Sequence, residues 1–216
     1  MSGFIQKSSF AALAVLACLG ASASAADYQY HHKVNGLVKA APPAPPCVDA
    51  KNAPAGEIST QFCGSEGIEL YNAGVVGDHA VLYGLTDDSS SVQWSNIIVN
   101  VPGVPECYPR SNCLGYTDGK AYTAAMLAHD SSRDLAVKAC GDKGEGWYLP
   151  AYAELVPLYR QMNMANFARL GLSGSYWASV EGYTNGDGAW LQRFPTDTDT
   201  LYAKSNSNKV RCARSG

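Results

Sequence analysis

Seven cysteines, four histidines and a scatter of acidic and amide side chains towards the C-terminal end are the residues of this chain that could do chemistry. Cys18 lies in an apolar leader. The other six are Cys47, Cys63, Cys107, Cys113, Cys140 and Cys212. No two of them form a C-x-x-C pair, so a structural zinc site is not indicated. An even number of cysteines in an exported chain points to disulfides, with the connectivity open. Order along the chain suggests Cys47–Cys63, Cys107–Cys113 and Cys140–Cys212. All six then pair, and no thiol nucleophile is left over. His79 and His129 have no evident partner, and G-x-S-x-G, H-E-x-x-H and P-loop patterns are absent. These observations argue against an enzyme. Asn185, Asp187, Asp197 and Asp199 offer oxygens of the kind calcium takes, but without a twelve-residue EF-type loop. Calcium therefore stands as an alternative, and no cofactor is expected. His31 and His32 are adjacent and would face opposite ways on a strand, so they do not chelate as a pair.

The elements that must position these residues begin after a leader. Lys7, the apolar stretch 10–20 and the small residues 21–26 read as a signal peptide cleaved after Ala25 or Ala26. Around Cys18, Val15-Leu16-Ala17-Cys18 is a loose lipoprotein box, which would instead leave a lipid on that cysteine. The expected compartment is the periplasm, the cell surface or the exterior. No other stretch reaches the roughly 18 apolar residues of a membrane helix. The chain has 216 residues, 46% hydrophobic and 16% charged, with a net charge of −3. That balance gives no basic field for nucleic acid. Its Tyr, Ser, Asn and Gly content suits contact loops, and equally an ordinary exported β-rich domain.

Residues 26–46 read as an extended arm, with Tyr28, Tyr30, His32 and Val34 alternating, followed by a stiff proline-rich linker. Such an arm is a disordered tether, or it lends a strand to a neighbour's sheet, with self-association through 27–38. Residues 47–67 read as a turn-rich, disulfide-stapled loop. The globular domain is placed at 68–216. In it, 80–85, 92–95 and 97–99 read as β, and 104–116 as a loop pinned by Cys107 and Cys113. Helices are expected over 121–129, over 133–140 with caps at Asp130, Ser131 or Ser132, and after Pro150, where Pro157 should kink or shorten the helix. Leu155, Leu158, Tyr159 and Met162 form its apolar stripe. Glu154 suits the positive end of that helix. Strands are expected over 176–180, 189–194 and 209–213. Trp147, Trp177 and Trp190 read as core, and Arg211 alternates with Val210 and Cys212 and so should point outwards.

Val92-Gln93-Trp94, Thr123-Ala124-Ala125, Gly146-Trp147-Tyr148-Leu149-Pro150 with Glu154-Leu155, Tyr176-Trp177-Ala178-Ser179, Ala189-Trp190 and Val210-Arg211-Cys212-Ala213-Arg214 occur in that order. In this order the domain resembles the Lcl C-terminal domain family, formerly a domain of unknown function, over about residues 68–216. The resemblance implies an α+β, C-type-lectin-like fold: two or three helices packed on short antiparallel strands and stapled by disulfides. Pro157 and the uncapped start at Ala151 depart from the usual helix. Family members include surface-displayed adhesion modules and targets of diversity-generating retroelements. In lectin-like folds the late loops and strands carry the ligand. Here those are Tyr183, Asn185, Asp187, Gln192, Arg193, Asp197, Asp199, Tyr202, Lys204, Asn206 and Asn208. The Glu-Pro-Asn and Trp-Asn-Asp signatures of calcium-dependent sugar binders are missing. The expectation is an exported bacterial module binding a glycan or a protein. The alternative is a subunit of a surface filament built through the N-terminal arm.

Overall fold

The computed structural model describes residues 54–63, 66–130, 135–160, 164–182, 185–196 and 198–216, with backbone alone at positions 66, 164 and 199. Chain contacts divide the protein into Met1–Pro42 and Pro43–Gly216. The leader, the arm, the linker, Cys47, Ser131 and Ser132, Met162, Tyr183 and Asp197 lie outside the described residues, and so do the expectations placed on them.

The domain is α+β. One five-stranded sheet runs in the order β1 (Ile58–Cys63), β2 (Glu66–Val76), β3 (His79–Gly84), β10 (Ala213–Ser215), β5 (Trp147–Tyr148). The second runs β4 (Ser89–Gln93), β9 (Ser207–Val210), β6 (Gly174–Glu181), β7 (Gly188–Phe194), β8 (Thr198–Ala203). Pairings are antiparallel except that β6 and β9 run parallel. Five helices complete the described chain: α1 (Arg110–Cys113), α2 (Gly119–His129), α3 (Ala136–Gly141), α4 (Tyr152–Arg160) and α5 (Met164–Leu170).

Several elements differ from their sequence reading: strand β4 covers Ser89–Gln93 rather than 92–95, the short helix α1 lies within the expected 104–116 loop, and α2 starts at Gly119 rather than 121. Part of the expected stapled loop is a strand, since Ile58–Cys63 pairs antiparallel along β2 from Ile58↔Tyr71 to Cys63↔Glu66. Residues 97–99 lie outside any strand and are exposed. The expected last strand, 209–213, is two strands: β9 belongs to one sheet and β10 to the other, and Arg211-Cys212 carries the chain between them.

That crossing explains why Arg211 is buried, contrary to the outward position that alternation gives it. The pleat is broken where the strand changes sheets, so the period-2 rule no longer applies. The Arg211 guanidinium donates to the Gly84 carbonyl at 2.9 Å, the Leu170 carbonyl at 2.8 Å and Asp87 Oδ1 at 2.5 Å. Next to it the Cys212 N–H donates to Asp88 Oδ2 at 2.6 Å. The guanidinium and the Cys212 N–H thus meet acceptors, as burial requires. Arg211 holds Asp87's carboxyl below the usual carboxylate range by hydrogen bond and charge, against the raising effect of burial, which is the largest single influence on it.

Cys140 in α3 and Cys212 are disulfide-bonded, as are Cys107 and Cys113. Cys63 is also disulfide-bonded. One apolar cluster gathers Tyr71, Tyr83, Tyr152, Leu155, Tyr176 and Trp190. Another gathers Trp94, Leu135, Cys140, Trp177, Leu191 and Cys212. Trp177 and Trp190 are buried as expected, whereas Trp147 is half-buried with the Lys143 ammonium 4.0 Å from its ring centroid.

Helix α3 begins at Ala136 with Leu135 in the capping position and no side-chain cap, rather than at 133. Helix α4 contains Pro157 and is described as far as Arg160. Its start is capped after all. Glu154 Oε2 accepts the Ala151 N–H at 2.6 Å, the return half of a capping box.

The same carboxylate organises a buried node. Glu154 Oε1 accepts from Tyr148 Oη at 2.9 Å and lies 2.8 Å from His79 Nε2, while Tyr83 Oη donates to the Glu154 carbonyl at 2.8 Å. A Cβ on Gly119 would sit 2.3 Å from Glu154 Oε2 and 2.5 Å from Ala151 N, so only glycine fits there. His79 therefore does have a partner, 75 residues away in sequence. Asp78 Oδ1 lies 3.1 Å from its other ring nitrogen. The Glu154 hydrogen bond raises the His79 pKa, with help from Asp78 and against its burial. A raised folded-state pKa means that the folded state holds the proton more tightly. The stability from this pair is fully present below about pH 6.5, the ordinary histidine value, and is lost as pH rises through the folded pKa. We expect the urea midpoint of the wild type to fall between pH 6 and pH 8.5 by more than that of His79→Gln. Equal falls for the two proteins would show that the pair does not carry this dependence.

Candidate ligand-binding surface

Between β4 and α2 the chain runs from Trp94 to Asp118 with only the four-residue α1 of its own. Connections that long with little internal structure are uncommon in compact domains and usually carry function. The described residues include nine large hydrophobic side chains that are exposed, and six of them lie here: Ile97, Ile98, Val99, Tyr108, Leu114 and Tyr116. Single exposed apolar residues are ordinary, but a concentration on one loop is not.

The loop is fixed from below. Glu181, at the end of β6, is fully buried. Its carboxylate accepts the Val101 N–H at 3.1 and 3.2 Å. Its main chain bonds the returning limb, with Glu181 N–H donating to the Pro105 carbonyl at 3.0 Å and its carbonyl accepting from Cys107 N–H at 3.1 Å. Both limbs of the loop thus end on one residue. Asn100 Nδ2 donates to Glu106 Oε1 across the loop, and the Cys107–Cys113 disulfide closes its far part. Trp190 Nε1 donates to the Cys107 carbonyl at 2.9 Å.

Lys204, in the turn between β8 and β9, completes the support. It is fully buried; its ammonium is ion-paired with Glu181 Oε1, donates to the Val99 carbonyl at 2.7 Å and lies 4.7 Å from the Trp94 ring centroid. Its main chain accepts from Trp94 N–H at 3.0 Å and donates to the Asp187 carbonyl at 2.9 Å. Burial, the largest influence, pushes the Glu181 carboxyl above its usual range, and Lys204 pulls it back. This buried pair therefore ties the 94–107 loop, the end of β6, the 185–187 turn and the 203–206 turn into one unit. Gly186 has φ of 74°, and a Cβ there would lie 2.6 Å from Val99 C and from Asn100 N. A glycine is what lets the two loops touch.

The ligand residues expected from sequence divide into two groups. Asn185, Asp187 and Asn206 are exposed around the Lys204–Glu181 unit, and Tyr202 is exposed on β8 two residues before Lys204. Lys204 itself supports that surface from beneath. Arg193 is exposed near the far end of β7, where it pairs with Thr198, whereas Gly188 pairs with Ala203 at the near end. Five residues of strand put those ends roughly 17 Å apart. Asp199 pairs with Gln192 at that far end, so a single cation cannot be shared by Asn185, Asp187 and Asp199. Gln192 is fully buried and Asn208 half-buried on β9, beside Val92. Among the described residues no group of three or more His, Cys, Asp or Glu is placed to hold a metal ion, and no helix is long and apolar enough to cross a membrane.

The sequence reading missed the aliphatic tip at Ile97, Ile98 and Val99, which looked like a strand. Its flanks carried the signal: Asn96 and Asn100 on either side, and Pro102-Gly103 just beyond, are turn formers. Nothing in the sequence marked Glu181 or Lys204 as partners.

Compared with known proteins, the chain matches no family model and no curated protein.

Proposed function

We propose that this protein is an exported ligand-binding module of the adhesion type, built on a C-type-lectin-like domain, which holds a glycan or protein ligand on the 95–116 loop and the adjoining 185–187 and 203–206 turns. One observation carries the reading: the exposed aliphatic and aromatic side chains are concentrated on a loop that a buried ion pair and a disulfide hold in a fixed shape. A loop fixed before contact loses little entropy on binding, which favours affinity. The two-sheet α+β architecture with helices on one chain segment and the Cys140–Cys212 link supports the lectin-like comparison. The five described cysteines, Cys63, Cys107, Cys113, Cys140 and Cys212, are all disulfide-bonded, so none of them is a thiol nucleophile.

The test is an array of glycans and exported or host-surface proteins probed with the full chain and with Ile98→Asp. Ile98 is 56% exposed, so the substitution leaves the fold intact. A charge at the centre of an apolar contact should weaken binding at least tenfold. Binding unchanged by Ile98→Asp, or no binding to either class, would remove the 95–116 loop as the site.

A further inference from the structure

We infer that the partner is a protein surface that is apolar at its centre and basic at its edge; this rests on the binding reading above. The inference comes from the charges that the loop unit shows and those it hides. Residues 94–109 include a single charged side chain, Glu106. The next charge along, Arg110, is half-buried with its guanidinium 5.7 Å from the ring centroid of the buried Tyr152. The adjoining turn 185–187 has one, Asp187, which is exposed, and 203–206 has one, Lys204, which is fully buried in its pair with Glu181. Lys204 is thus withdrawn from the surface, Glu106 and Arg110 are both half-buried, and the one exposed charge of the unit is the acid Asp187. It adjoins Gly186, which packs on Val99 and Asn100, beside a tip of Ile97, Ile98 and Val99 whose residues are 38–56% exposed.

Three aliphatic side chains in a row suit an apolar surface better than a sugar, whose hydroxyls need polar partners; a sugar site would call for convergent donors and acceptors. The exposed Asp187 then decides among apolar partners. An anionic membrane is disfavoured, because it recruits exposed basic residues, and the one exposed charge of this unit is acidic. A protein patch with Lys or Arg around an apolar centre is complementary to it, and such charge matching steers encounter and rejects wrong partners. Asp187 can be changed without harm to the support, because only its main-chain carbonyl serves Lys204.

The experiment is a synthetic peptide array in which apolar content and net charge vary independently, probed with the full chain, Ile98→Asp and Asp187→Lys, alongside neutral phosphatidylcholine vesicles, anionic phosphatidylcholine–phosphatidylglycerol vesicles and the glycan array. The wild type should bind apolar–basic peptides at least tenfold above apolar–acidic ones of equal length. Ile98→Asp should lose that binding, and Asp187→Lys should narrow the basic-over-acidic preference severalfold while keeping the apolar requirement. A preference for acidic peptides, no preference by charge, no peptide binding, or binding to vesicles alone would overturn the inference. Glycan binding that Ile98→Asp abolishes would overturn it too, while leaving the loop as a binding site.

Discussion

Lys204→Met should lower the stability of the folded protein by about 3–5 kcal/mol, because it removes one member of a buried ion pair and leaves the other without its counter-charge. Both side chains are fully buried, and the Glu181 carboxylate would retain only the Val101 N–H. For a domain of this size the change corresponds to a fall in Tm of roughly 10 °C. The Val99 carbonyl also loses its donor. Exchange of the Val101 amide should therefore accelerate by more than that of amides in β2 or β3. Adding Glu181→Leu to Lys204→Met should recover part of the loss, since an apolar pair avoids the desolvation cost of a lone buried charge. Urea unfolding of the two single variants and the double variant closes the cycle. A Lys204→Met protein within about 1 kcal/mol of wild type would show that the pair does not hold the loops.

The paired substitution Cys140→Ala with Cys212→Ala should cost a similar amount by a different route. The bond links residues 72 apart, and closing a loop of that length restricts the unfolded chain by roughly 4 kcal/mol on the chain-entropy account. Cys107 and Cys113 are six apart, for which the same account gives roughly 2 kcal/mol. Urea midpoints should therefore fall in that order. The two variants should also differ in kind. Loss of the long link destabilises the whole domain, whereas loss of the short one chiefly frees the 107–113 part of the contact loop and should weaken ligand binding while most of the fold persists. Equal midpoints for the two would mean that chain entropy does not set the contribution of these bonds.

The long disulfide was legible in the sequence because the order of the cysteines suggested it, and helices α2 and α4 because local apolar spacing and Pro150 marked them. Strands β6 and β7 were legible as apolar runs bounded by turns. What could not be read was long-range. Lys204 and Arg211 look like surface cations, since a sequence carries no sign of the acid that will meet them; their partners Glu181 and Asp87 lie 23 and 124 residues away. Arg211 also fell where the strand rule itself stops, at a change of sheet. His79 appeared isolated because its carboxylate sits on a helix formed from a distant segment. Ile97, Ile98 and Val99 misled for the opposite reason: a short apolar run reads as a buried strand by composition alone. Asn185, Asp187 and Asn206 read as polar turn residues from sequence and are exposed in the structure, while the exposed apolar tip at 97–99 was not read.

The passage of the chain from β9 to β10 has a consequence for biogenesis. Within their sheets β9 lies between β4 and β6, and β10 between β3 and β5. A growing polypeptide that has not yet delivered residues 207–215 therefore has both sheets cut in two, with four raw edges where two interior strands belong. Neither half-built sheet can close early, and the Cys140 thiol waits for Cys212 over the same interval. Residues 207–215 thus act as a zip fastener, completing both sheets in a single step.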